Sequence, residues 1–148
     1  GPFLMENILA FKAINLTKTK TYESDLDDAK GTDEATKFTL GAIDTRTMAY
    51  IVDSNMDVTE NDDGKILNKF NQLTVAYNLV KFGLKDLTNY QDSDGKEVAY
   101  KQDSINYGGK AYKVVSESIL SSMPTPLIME LAGVINDINA VSVEDAKN

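Results

Sequence analysis

The sequence predicts an α+β fold: a small domain with two main amphipathic helices, short antiparallel hairpins and a polar N-terminal loop region. Three observations predict it. Apolar residues recur at three- and four-residue steps over 70–82 and 127–138, the spacing of one helix face. Asp94-Gly95 and Gly108-Gly109 each stand between two short arms, as hairpin turns do. Residues 23–36 are almost devoid of apolar groups and read as a solvated loop.

The 148 residues suit one domain. A chain of this length buries roughly 70 % of its unfolded surface. Residues 1–4 read as a cloning remnant ahead of Met5, residues 5–36 as an N-terminal arm and acidic loop, and residues 37–148 as a single α+β domain. Ile8-Leu9-Ala10-Phe11 is too short an apolar core for a signal peptide. A net charge of −8 disfavours nucleic acid and anionic membrane as partners. No apolar run reaches the roughly 18–20 residues of a membrane span. With no Cys and no His, disulfides, thiolate metal sites and the usual neutral-pH general base are excluded.

Thr17, Thr19 and Thr21 alternate with lysines, which predicts a strand or an extended arm. Lys37–Ile43 alternates, with Phe38 and Leu40 on one face, and predicts a strand. Asp44 is placed as the N-cap of a helix over 45–52, where Met48, Ile51 and Val52 share a face. Residues 53–64 are read as turn and loop. The first main helix follows. Ile66, Phe70, Leu73, Ala76 or Tyr77, Val80 and Leu84 form its stripe, widened by Leu79, Phe82 and Leu87. Gly83 either ends this helix as its C′ residue, with Leu84–Leu87 a separate short turn, or admits a close neighbour. We take the former, so that Phe70–Phe82 is the helix.

Asp92-Ser93-Asp94-Gly95 predicts a tight turn joining Asn89-Tyr90 to Val98-Ala99-Tyr100. A Ca²⁺ loop in the same register would need ligands at Tyr90 and Lys101, which cannot serve. Ile105–Tyr107 and Lys110–Val115 flank the Gly-Gly turn, with Tyr107, Tyr112 and Val114 facing the core or a cross-strand neighbour. Ser116 is placed as the cap of a short helix over 117–122. Thr125-Pro126 opens the last main helix. Its apolar face is Leu127, Ile128, Leu131, Val134, Ile135 and Ile138, with Glu130 off that face. Ser142–Asp145 looks like a further helix start, too near the chain end for a stable helix. No catalytic constellation, cofactor motif or metal-ligand spacing stands out.

Lys81–Tyr90, Asp92–Lys96 and Leu127–Asn139 with Glu144–Asn148 resemble small proteins from the structural gene clusters of long-tailed bacteriophages. Those proteins carry a GL…NF-x-D-x-DG block, here with Tyr90 in place of Phe, and a closing lpxxLixELaxxI…sxeExKN pattern. Lys37–Arg46 is similar to their f-x-L-g-x-l-D-x-R passage. The resemblance implies a non-enzymatic morphogenesis protein in the host bacterial cytoplasm. The role it implies is that of a tail-assembly chaperone-like factor keeping the hydrophobic helical tape-measure protein soluble. Leu127, Ile128, Leu131, Val134, Ile135 and Ile138 are the partner-binding residues expected on that reading. Self-association, a connector role in the virion, and acidic anti-defence inhibition by protein binding or DNA mimicry are the alternatives.

Overall fold

Alternation of Phe38 and Leu40 with Lys37 and Thr39 directs the two apolar side chains to one face, where both are buried. This strand, β2 (Lys37–Gly41), is the centre of a three-stranded antiparallel sheet between β1 (Thr19–Tyr22) and β5 (Leu84–Thr88). The computed structural model describes residues 10–54 and 56–147. Gly1–Leu4 and the Ile8-Leu9 pair lie outside them. The mixed α+β class holds. The element order is β1, β2, α1 (Thr45–Ser54), β3 (Met56–Glu60), β4 (Ile66–Phe70), α2 (Gln72–Gly83), β5, β6 (Gln102–Tyr107), β7 (Lys110–Val115), α3 (Glu117–Leu120) and α4 (Thr125–Lys147). The β3–β4 and β6–β7 pairs are separate two-stranded antiparallel sheets.

Several elements depart from expectation. The loop expected over 53–64 contains β3, and the start of the expected helix is β4, paired with it from Met56↔Phe70 to Glu60↔Ile66. The helix therefore begins at Gln72, where Asn71 Oδ1 accepts from the Thr74 amide at 3.3 Å. The turn between these strands repeats the chemistry of the later one. Asn61 Oδ1 accepts from the amides of Asp63 and Lys65, and Asp92 Oδ1 accepts from those of Asp94 and Lys96. Gly64 and Gly95 follow with φ of 76° and 80°. Only one of the two turns joins full strands. Beyond the Asp92 turn the chain makes a single bridge, Gln91↔Glu97, rather than the expected hairpin arms.

The expected turn over Leu84–Leu87 is strand β5. Register against β2 shifts between Thr39↔Asp86 and Leu40↔Leu84, leaving Lys85 as an extra residue. That bulge lets two leucines three apart both face the core, which strict alternation forbids. Gly83 has no left-handed φ and is not a C′ residue of that kind. Its reason is packing: a Cβ there would stand 2.6 Å from Cδ1 and 3.0 Å from Cγ1 of Ile135. α2 packs on α4 through this contact. Ala76, Leu79 and Val80 complete the buried face of α2, while Leu73, in its first turn, is 46 % exposed.

Helix α1 begins as expected, with Asp44 Oδ1 accepting from the Thr47 amide at 2.6 Å. Gly108 and Gly109, with φ of 60° and 80°, form the two-residue turn between β6 and β7. Ser116 makes no side-chain capping bond; the Glu117 amide donates instead to Asp103 Oδ2 at 3.2 Å. No Gly or Pro interrupts residues 134–147, and α4 runs through the expected second helix start to Lys147. Its Asn139 side chain takes the place of a strand neighbour: Oδ1 accepts from the Ile43 amide at 2.9 Å and Nδ2 donates to the Ile43 carbonyl at 3.1 Å.

Gly83→Ala gains helix propensity of at most about 1 kcal/mol but overpacks Ile135 at a cost of about 1–3 kcal/mol. We expect a net loss of stability in urea titration. Ile135→Val removes the clashing Cδ1 and should be less harmful in the Gly83→Ala background than alone. Additive effects of the two substitutions would contradict the packing role of Gly83.

Candidate functional site

The acidic segment 23–36 is not a free loop. It is a chain of turns fixed to the domain at both ends. At its start, Glu130 of α4 receives the Tyr22 hydroxyl at 2.6 Å, the Asp25 amide at 2.8 Å and the Ser24 hydroxyl. At its end, Asn89 Nδ2 donates to the carbonyls of Asp33 and Ala35, and the Thr36 hydroxyl donates to the Asn89 carbonyl at 2.7 Å. Asn89 reaches them from a left-handed backbone, φ 58°, which Asn tolerates better than most residues. Asp27 braces the middle: its two oxygens accept from the amides of Ala29 and Thr36. Lys30 pairs with Asp25 on the outside. Ser24 and Ala35 are buried.

Burial alone would raise the Glu130 carboxyl. The hydrogen bonds from Ser24, Tyr22 and the Asp25 amide outweigh it and hold the group below the usual glutamate value. Tyr22 is raised in turn, first by its bond to Glu130 and then by burial. A carboxylate with these donors is a structural anchor, with its charge committed to the segment it holds.

Fixing the segment creates a groove. Its floor and sides include Phe38, Tyr90, Pro124 and Leu127, with Leu26, 59 % exposed, on one lip and Asp92-Ser93 on the other. Its volume is about 400 Å³. It continues past Asp27 and Thr36 into a wider cleft of about 710 Å³ rimmed by Asp33, Glu34 and Glu97. The whole feature is apolar at one end and acidic at the other. Among the described residues no group of three or more His, Cys, Asp or Glu is placed to hold a metal ion, and no helix is long and apolar enough to cross a membrane.

Of the six residues expected to face a partner, all but Leu127 lie elsewhere. Ile128, Leu131 and Ile135 are in the protein's own core, and Val134 and Ile138 pack half-buried against it. A partner groove along this face is therefore closed by α2 and the sheet. Leu127 alone borders the open groove, and it is itself 8 % exposed. Glu130 and its partners are separated by 106 and 108 residues, which no local pattern reveals. The available signal was Glu130 standing off the apolar face in the first, otherwise apolar turns of the helix, Leu127–Val134.

No protein-family model, curated protein or solved structure matches this chain.

The lowered Glu130 value sets a sign for acid stability. Its deprotonated form stabilises the fold above the unfolded glutamate value of roughly 4.3, and this contribution is lost as pH falls through the lowered native value. Glu130→Gln should cost on the order of 1–2 kcal/mol at pH 7, with the deficit shrinking by about pH 3. Urea midpoints of both proteins at the two pH values test this. An equal deficit at both would show that the charge plays no part.

Proposed function

We propose that this protein is a non-enzymatic binding factor of bacteriophage morphogenesis, of the tail-assembly chaperone-like kind, acting in the host cytoplasm. It holds an apolar, positively flanked segment of a helical partner, the tape-measure protein, in the groove between Leu26 and Tyr90. The observation that carries this reading is the groove itself, with Phe38, Tyr90, Pro124 and Leu127 lining it and acidic residues continuing from it. The phage setting rests on the resemblance of 81–96, 127–139 and 37–46 to proteins of structural gene clusters.

Magnitudes favour reversible holding. A client burying about 400 Å² of apolar surface gains about 10 kcal/mol at roughly 25 cal/mol per Å². Association costs of about 4–15 kcal/mol offset most of this. The acidic rim adds selection for basic flanks and keeps the loaded complex soluble through the net charge of −8. A chaperone has to release its client, and such a balance permits it.

Co-expression with the tape-measure protein of the same gene cluster should raise the soluble fraction of that protein several-fold. Leu26→Ser, at an exposed lip residue, should remove most of the gain while leaving the circular dichroism spectrum unchanged. A tape-measure protein equally soluble with and without this chain would refute the reading.

A further inference from the structure

A second cleft, of about 220 Å³, shares no lining residue with the acid-rimmed groove. Ile43, Phe82 and the 47 % exposed Leu16 give it an apolar wall, and Lys85 and Lys110 line it as well. Local structure puts the two lysines there. Lys85 is the extra residue of the bulge in β5, and bulges re-aim side chains. Its stem lies against Gly41, where a Cβ would stand 3.2 Å from Cε and 3.4 Å from Cγ of the lysine. Lys110 follows the Gly108-Gly109 turn directly, with Nζ 5.2 Å from the centre of the Tyr112 ring.

The fold leaves both cations without a full counter-charge. Lys85 Nζ donates to the Phe82 carbonyl at 2.7 Å, a neutral acceptor. Among the described residues neither lysine forms an ion pair, although the chain has 23 Asp and Glu against 15 Lys and Arg. Burial holds the Lys85 ammonium below the usual lysine range, and the opposing pull of the Asp44 charge does not restore it. Asp44 also lines the cleft, but its Oδ1 is committed to the Thr47 amide. Two lysines and one carboxylate leave the cleft with one net positive charge. That charge suits a monoanion, and the Asp44 carboxylate works against a dianion. The apolar wall asks for a ligand with an apolar part.

We propose that this cleft binds a small monocarboxylate with a short aliphatic tail. The carboxylate sits between Lys85 and Lys110, and the tail covers Ile43, Phe82 and Leu16. The lysines supply charge-assisted hydrogen bonds, which are the strong ones. The site is independent of the client groove.

Titration of the full-length, ¹⁵N-labelled protein with hexanoate, followed by amide chemical shifts, tests this. Shifts should saturate with a Kd of about 1 mM, ordinary for a ligand of so few atoms, and cluster at 41–47, 82–86 and 110–112. Butanoate, two methylenes shorter, should bind roughly tenfold more weakly. Hexanol, which keeps the tail without the charge, and inorganic phosphate, which keeps charge without a tail, should each be weaker by at least as much. Lys85→Gln and Lys110→Gln alter exposed residues, so circular dichroism should match the parent while each weakens hexanoate at least fivefold. Lys110→Arg should retain binding. Hexanol binding as tightly as hexanoate, phosphate binding more tightly, affinity indifferent to both glutamine variants, or no saturable shift by about 10 mM would each overturn the proposal. None of these outcomes alters the client reading, because the two sites share no residue.

Discussion

The seat of Ile135 against Gly83 fixes the rest of this structure. Ile135 is fully buried, and its side chain fills the space a Cβ on residue 83 would need. Two helices whose contact includes a glycine can approach more closely than side chains otherwise allow. That approach sets α4 over the end of α2, and the end of α2 is also the start of β5. One packing contact thus locates the last helix, the sheet and the turn between them. Phe38, Leu40, Leu84 and Leu87 then close the core from the sheet side.

Helix α4 serves two surfaces from this position. Its apolar face is packed into the protein's own core, with Ile128, Leu131 and Ile135 buried and Val134 and Ile138 half-buried against it. Its flank carries Glu130, which turns an acidic, almost apolar-free segment into a fixed wall. The wall costs little hydrophobic burial, because Ser24 and Ala35 are its only buried residues among 23–36. It is held mainly by hydrogen bonds, several to an ionised group, and those are the strong ones. The groove is the space between this wall and the Tyr90–Ser93 turn.

What was legible in the sequence follows from the range of the interactions concerned. Elements governed by local chemistry could be read: Asp44 as a cap, Gly108-Gly109 as a turn, Phe38 and Leu40 as a buried pair, and the periodic faces of α2 and α4. Where two periods compete, the reading failed. Ile66 and Phe70 stand at helical spacing, yet they belong to a strand whose partner, Met56–Glu60, lies across an Asn-Asp-Asp-Gly turn. Leu84 and Leu87 are out of phase for a strand until the bulge at Lys85 is known. The groove was wholly hidden, because Glu130 meets Ser24 across most of the chain. Burial, too, is a property of the assembled fold: periodicity marks an apolar face without saying whether the protein itself or a partner covers it.

The bidentate contact of Asn139 with Ile43 has a consequence for solubility. Beyond Gly41 the central strand leaves the ladder, and a bare amide and carbonyl on Ile43 would be an opening for another extended chain. The carboxamide supplies one donor and one acceptor at that spot, so the backbone is satisfied with no strand added. An aspartate at 139 would keep the acceptor and lose the donor, leaving the Ile43 carbonyl unmatched. A helix side chain here guards a sheet against recruiting foreign strands.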